Sequence, residues 1–380
     1  MARVAAGAGE RAGRRRVGYA VIGLGHIAQT AVLPAFEHAK ATSRLVAIVS
    51  GDEAKRRSLS RRHGVKAYGY DDLDACLRDE EVDAVYIALP NALHKECAVR
   101  AARMGVHVLC EKPMATSAAD CEEMIRASRE SGVALMIAYR LHFQEANVST
   151  AELVAEGAIG DPRYFTSEFS YQVRRGNIRT KDDLGGGALW DLGVYCTNAA
   201  RHLFRSEPEE AFAMAMPARD DRFRGVDEGW GCLLRFARGR VASFTVSFGA
   251  ATTSRYRVVG TRGDVWLDPA YEYEGSLVRH LTVAERTRTR TFGPRDQFAP
   301  ELVRFSQAVL DGTDPEPSGR EGLADVRAIE ALLASSRTGR PVTLAPMAPP
   351  RHPTREQELR APPPAPAEPA RVEPPTQPGA

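Results

Sequence analysis

The feature that most constrains the fold of this chain is a glycine turn close to its start. An apolar run, Val17–Ile22, leads into Gly23-Leu24-Gly25-His26-Ile27-Ala28 and then into an apolar-periodic segment through Phe36. That order reads as a strand, a tight turn and the opening of a helix. Gly23 permits the turn, Gly25 lets backbone approach a pyrophosphate, and the small Ala28 allows close helix–strand packing. The phosphates of a dinucleotide would rest on the helix N-terminus, held by backbone amides around His26 and Ile27 and by the helix dipole. A glycine triplet alone also suits an ordinary strand-to-helix turn, so the reading depends on the pattern of the residues downstream.

Downstream of the turn, short apolar strands alternate with helical segments. Strands are expected at 45–49, 84–88, 106–110 and 134–138, with helices at 96–104 and 118–131, the pattern of a doubly wound parallel sheet. Beyond a helix near 152–156 the strands succeed one another without helices between them, at 163–173, 211–216, 231–236, 241–248, 256–260 and 265–267. Such runs favour an open, mostly antiparallel sheet with helices on one face. The expected class is therefore α/β plus α+β. A Rossmann nucleotide domain at 16–138 precedes a substrate and oligomerisation domain at 139–345, and late helices at 300–310 and 322–335 brace the junction. The active site belongs between the two, at the carboxyl ends of the parallel strands.

Two features mark that end of the sheet. The strand at 45–49 runs into Ser50-Gly51-Asp52, with Lys55, Arg56 and Arg57 just beyond. NAD-selective sites usually place an acid here to hold both ribose hydroxyls. A small hydroxyl with nearby cations instead suits a ribose 2′-phosphate, Ser50 donating a hydrogen bond and Lys55 or Arg56 supplying charge. NADP is favoured; NAD remains the alternative, with Asp52 as the ribose acid and the cations a solvated helix face. Further on, Glu111-Lys112-Pro113 ends the apolar run 106–110. An ionisable pair is thereby placed at the mouth of the sheet, where acid/base chemistry is done.

With 380 residues, 43% hydrophobic and 26% charged, the chain can bury more than one core, and a net charge of +2 implies no polyanionic partner. Neither nucleic acid nor membrane is expected as a partner. The six cysteines show no close metal-ligand pairing and mostly fall within apolar patterns, so they read as reduced core thiols of a cytoplasmic protein, with no metal site. Arg14-Arg15-Arg16 superficially resembles an export signal, but the apolar stretch after it is the first strand itself. Residues 1–15 are expected to be a disordered arm. From Pro346 onward the chain carries about half of its 24 prolines and almost no large apolar residues, which predicts a disordered tail over 346–380.

A second constellation lies at Asn177-Ile178-Arg179 and Gly185-Gly186-Gly187-Ala188-Leu189-Trp190-Asp191-Leu192-Gly193-Val194-Tyr195-Cys196-Thr197-Asn198. Glycines followed by a helix put Asp191, Tyr195 and Asn198 at i, i+4 and i+7, on one helix face. Burying that polar stripe requires partners, so solvent or a polar pocket must receive it.

At this point the chain resembles the Gfo/Idh/MocA family of sugar oxidoreductases, which includes glucose-fructose oxidoreductase and inositol dehydrogenase. The resemblance covers roughly residues 17–345 and rests on the glycine turn, Leu89-Pro90-Asn91-Ala92-Leu93-His94, Glu111-Lys112-Pro113, the helix through Asn198, and Thr338-Gly339-Arg340-Pro341. Ser50-Gly51, Tyr139-Arg140-Leu141-His142-Phe143 and a tyrosine at 195 point to the branch containing glucose-fructose oxidoreductase, NADP-dependent xylose dehydrogenase and dihydrodiol dehydrogenase. The resemblance implies hydride transfer between nicotinamide and a secondary or anomeric carbinol carbon of a sugar or cyclic polyol.

It also implies roles. Tyr195 would exchange the proton with the substrate hydroxyl, Lys112 would bond the same oxygen and favour the phenolate, and Asp191 would orient the hydroxyl or the lysine. The Lys112–Pro113 bond would be cis. Leu89, Pro90, Asn91, Glu111 and Arg140 would line the nicotinamide end, and His94 would either join them or pack its helix. Arg179, His142 and Asn198 are candidate ligands of substrate hydroxyls. The alternatives are a non-catalytic nucleotide-binding regulator on the same fold and a glucose-fructose oxidoreductase that retains its cofactor. The short N-terminal arm favours an exchangeable cofactor, and the exposed sheet face a homodimer or homotetramer.

Overall fold

The computed structural model of the chain describes residues 16–348, 350–365 and 368–377, so the arm expected at 1–15 lies outside it. Six parallel strands form the first sheet: β1 (Val17–Ile22), β2 (Ser43–Val49), β3 (Lys66–Tyr68), β4 (Ala84–Ile87), β5 (His107–Glu111) and β6 (Leu135–Ala138). Their order, β3-β2-β1-β4-β5-β6, reverses direction between β1 and β4. A crevice opens outside the carboxyl ends of the strands at such a switch point. The segments between them carry α1 (Leu33–Ala35), α2 (Glu53–His63), α3 (Leu73–Arg78), α4 (His94–Arg103) and α5 (Ala118–Glu130). α2 starts where the Asp52 side chain accepts the Lys55 N–H and stops at Gly64 in the left-handed conformation.

After α6 (Glu145–Ala155) the second sheet takes over: β7 (Pro162–Ser170), β8 (Pro208–Met216), β9 (Gly229–Phe236), β10 (Arg240–Ser247), β11 (Thr253–Gly260), β12 (Gly263–Leu267), β13 (Leu277–Val283), β14 (Arg286–Phe292) and β15 (Val342–Thr343). Its order is β14-β13-β12-β11-β7-β10-β9-β8-β15, antiparallel throughout except for the central pair β7 and β10. The late strands β13 and β14 escape the sequence reading for a physical reason. The run Arg286-Thr287-Arg288-Thr289-Arg290-Thr291 alternates two polar types rather than polar with apolar, and as the edge strand it needs no buried face.

One face of this sheet is covered by α7 (Val194–Phe204) and α9 (Gly319–Thr338), while α8 (Ala299–Asp311) lies on the first sheet. Tyr19 of β1 and Ser43 of β2 both bond the Ser306 hydroxyl of α8, each at 2.8 Å. α9 touches β6 and α5 on one side and β8 on the other, so it bridges the sheets. Close approach is needed there: a Cβ at Gly322 would stand 2.7 Å from Met114 Cβ.

The proline-rich tail departs from expectation. Where composition predicts disorder, the described part runs extended over the surface with specific contacts. Pro353 is buried, the Asp296 N–H donates to Ala361 O at 3.2 Å, and the Arg174 N–H donates to Pro375 O at 2.8 Å. Such a segment builds no core of its own, but a proline-stiffened chain loses little entropy on lying along a surface that others have built.

Candidate active site

Gly23 has φ +92°, and a Cβ there would stand 2.4 Å from Ala88 O, so the turn out of β1 tolerates only glycine. It delivers Gly25, His26 and Ile27 to the wall of a cleft of about 460 Å³ between the two sheets. At Gly25 a Cβ would meet nothing within 4 Å, so the backbone is open to a ligand on that side. Ala28, fully buried, lets the first helix turn sit against the sheet. A pyrophosphate fits this cradle of bare backbone at a helix N-terminus.

The loop after β4 adds Leu89, Pro90 and Asn91 to the cleft wall, and the Asn91 amide donates to Gly185 O at 2.7 Å, tying the two halves together. His94 takes the packing role that its sequence left open. Fully buried, it sits between Leu89 O and Pro113 O, each 2.9 Å from a ring nitrogen, and burial holds its pKa down. It braces two strand-end loops from a place in the cleft lining. At the end of β2, Ser50 is buried, its Oγ accepting the Asp52 N–H at 3.3 Å, while Arg56 Nη1 donates to Ser50 O at 2.5 Å. Gly51 and Lys55 flank it, and Asp52 is bonded by Arg371 from the tail at 3.0 Å.

β5 ends in Glu111, and the Lys112–Pro113 peptide is cis. Lys112 Nζ donates to Asp191 O and Oδ1, both at 3.1 Å, and lies 4.4 Å from the centroid of the Tyr195 ring. The other Asp191 oxygen accepts from Arg179 Nε at 2.8 Å and from the Tyr171 hydroxyl at 3.0 Å. Burial works against both charges of the Lys112–Asp191 pair, and in each case the partners outweigh it. Asp191, with Tyr195 and Glu111, keeps the lysine pKa above its usual value, while Arg179 and Lys112 hold the Asp191 carboxyl well below the usual range. Lys112 is thus a fixed cation on the face of Tyr195, with Arg140 a second one at 5.0 Å. Arg140 itself is buried, bonded to Tyr271 O and, at 2.7 Å, to Gln297.

Tyr171, Tyr271 and Tyr273 line the cleft as well, though nothing in their sequence context singles them out. Behind Lys112, the Tyr86 hydroxyl donates to Glu111 at 2.8 Å and reaches Glu301 of α8 at 3.5 Å. Burial raises both carboxyls, and the neighbouring Glu111 pushes Glu301 further up.

His142 and Asn198 stand apart from the cleft, which corrects their expected role as substrate ligands. His142 Nε2 bonds Asn198 Oδ1 at 3.0 Å, and the Asn198 amide donates to Glu321 and Asp325 of α9 at 2.7 and 2.8 Å. Arg201, almost wholly buried, closes this network onto the same two carboxylates. Residues three apart on a helix differ by about 60° in direction. The cleft receives Asp191 and Tyr195, and α9 covers the flank that carries Asn198. His142, His202 and Glu321 could together face a metal ion, but the Glu321 oxygen is already bonded by Asn198, Arg201 and His202, and the guanidinium supplies the countercharge.

Two family models match the chain: an oxidoreductase family with an NAD-binding Rossmann fold over residues 17–139, and the GFO/IDH/MocA C-terminal domain over 148–266. A D-xylose 1-dehydrogenase (NADP(+)) of Haloferax volcanii is 34% identical over 86% of this chain and 99% of its own length. A dTDP-3,4-didehydro-2,6-dideoxy-α-D-glucose 3-reductase of Actinomadura kijaniata is 34% identical over 85% of this chain and 96% of its own. Among solved structures, the aldose-aldose oxidoreductase of Caulobacter crescentus with glycerol superposes with a TM-score of 0.83 at 37% identity, covering 87% of this chain and all of that one.

Proposed function

This chain belongs to the Gfo/Idh/MocA oxidoreductase family, and from that premise we propose that it is an NADP(H)-dependent oxidoreductase acting on a secondary or anomeric CH–OH group of a sugar or cyclic polyol. The observation that carries the reading is the placement of Lys112 and Asp191 against Tyr195 in the cleft that the glycine turn also lines. Residues 16–138 are read as the cofactor domain, with the bare backbone of Gly23–Ala28 for the pyrophosphate and Ser50, Gly51, Lys55 and Arg56 at the adenosine ribose. Bound NADP supplies the acceptor or donor of hydride.

The chain's own residues handle the proton. Tyr195 exchanges it with the substrate hydroxyl, and Lys112 stabilises the negative charge that collects on the phenolic and substrate oxygens. Asp191 holds Lys112, and Arg179 and Tyr171 hold Asp191. Apolar and aromatic walls exclude water, which strengthens each of these charges. Two finer points belong to the same reading: a cytoplasmic setting, in keeping with six free buried cysteines, and a homo-oligomer through the open face of the second sheet, where Tyr164, Met214, Leu233 and Val241 are exposed. Among the described residues, no helix is long and apolar enough to cross a membrane.

The test is reduction of NADP+ and NAD+ by purified protein against aldoses, polyols and dihydrodiols, with NADPH-dependent reduction of keto sugars as the reverse assay. Turnover with at least one carbohydrate class and preference for NADP are expected. Absence of dinucleotide binding and of turnover across the panel would sink the proposal.

A further inference from the structure

The described tail crosses from one end of the cofactor crevice to the other, and its contacts are specific at both ends. At the first end the Gln29 side chain pairs with Ala370 as a strand would: Ala370 N–H donates to Oε1 at 2.7 Å and Nε2 donates to Ala370 O at 3.1 Å. The same Nε2 donates to Leu24 O at 2.8 Å, so the tail is tied directly to the glycine turn. Arg62 Nη1 holds Glu368 O at 2.7 Å. At the other end Val173 and Thr376 form an antiparallel bridge, with Arg174 N–H donating to Pro375 O at 2.8 Å and Gln377 N–H to Gln172 O at 2.9 Å. At this second anchor, Pro374, Pro375 and Thr376 form part of the cleft wall that also includes Gly25, Lys112 and Tyr195.

The residue between the anchors with the most to say is Arg371. Its Nε donates to Asp52 Oδ2 at 3.0 Å, while Asp52 Oδ1 caps α2 by accepting the Lys55 N–H at 3.0 Å. Asp52 lies just past β2, where a carboxylate would attract ribose hydroxyls and repel a 2′-phosphate. Arg371 neutralises it and adds a forked cation beside Lys55. Its φ of +53° is a conformation a non-glycine residue keeps only where the surroundings enforce it.

We propose that residues 368–377 are a clasp over the bound dinucleotide, and that Arg371 within it sets the preference for a 2′-phosphate. The inference rests on the NADP reading and adds to it: cofactor exchange is gated by residues 368–377. Release requires the bridge at Val173 and Thr376 to open.

The test uses the full-length chain with two substitutions. Arg371→Ala is expected to weaken NADPH binding about tenfold, the effect of losing one charge-assisted contact, while NADH binding changes less than about threefold. Gln377→Pro, which removes one bridge donor, is expected to speed NADPH release at least about fivefold, followed by stopped-flow fluorescence, with the NADPH:NADH preference kept. An unchanged preference in Arg371→Ala overturns the specificity role, and an unchanged release rate in Gln377→Pro overturns the clasp. Tighter binding in either variant overturns both, because the segment would then be a plug. These failures leave wild-type NADPH binding intact; a wild type that binds no dinucleotide overturns the NADP reading itself.

Discussion

Four side chains form one charge arrangement in the cleft. Asp191 is shared between Lys112 and Arg179, and Lys112 faces Tyr195. If Lys112 and Tyr195 carry the proton, Lys112→Ala and Tyr195→Phe should each lower kcat about 10²- to 10⁴-fold while NADPH binding changes little. Steady-state kinetics with fluorescence titration separates the two effects. Asp191 has a second consequence. Its carboxyl is held below the unfolded value, so it contributes stability above about pH 4 that is lost as the pH falls. Asp191→Asn leaves Lys112 and Arg179 without their anion and should cost about 3 kcal/mol at neutral pH. Melting curves should show wild type losing this advantage progressively as the pH falls below about 4; parallel acid profiles for the two proteins would contradict the linkage.

At the scale of elements, the segment from Gly185 into α7 divides its polar residues between two surroundings. Asp191 and Tyr195 go to the cleft, and Asn198 and Arg201 to the buried network with α9. The sequence shows a polar stripe and requires that something receive it. It does not show which helix covers which flank, because that is settled by packing against α9 and not by spacing along the segment. The structural role makes a prediction opposite to substrate binding. His142→Ala and Asn198→Ala should each lower stability by about 1–3 kcal/mol through unsatisfied buried partners, with KM for the sugar changed less than about threefold. A large rise in KM at unchanged stability would return these residues to the substrate site.

At the scale of the whole molecule, two sheets with different needs are joined by α9. The first is covered on both faces, as a parallel sheet must be. The second has one face against helices and the other exposed, with Met214 67% and Leu233 44% accessible. If that face seals a homo-oligomer, Met214→Glu combined with Leu233→Lys should shift the protein to monomer in sedimentation velocity. A wild type that sediments as a monomer at all concentrations would rule the oligomer out.

Sequence alone determines five of the six strands of the first sheet, the glycine turn, the lysine at the end of β5 and six strands of the second half, because each depends on local periodicity or on a residue with a unique backbone allowance. What only tertiary structure decides is assembly across distance. Tyr171 meets Asp191, Glu301 comes to lie beside Glu111 behind the lysine, and a tail too poor in apolar residues to fold by itself finds a surface on which Arg371 reaches Asp52. Each of these pairs except the first is separated by more than a hundred residues, and no periodicity spans such gaps; even Tyr171 and Asp191 sit on different elements whose packing the intervening turns conceal. The physical reason is the same throughout. Local backbone preference chooses the elements, but burial chooses their partners, and only the assembled core says which polar groups it must satisfy.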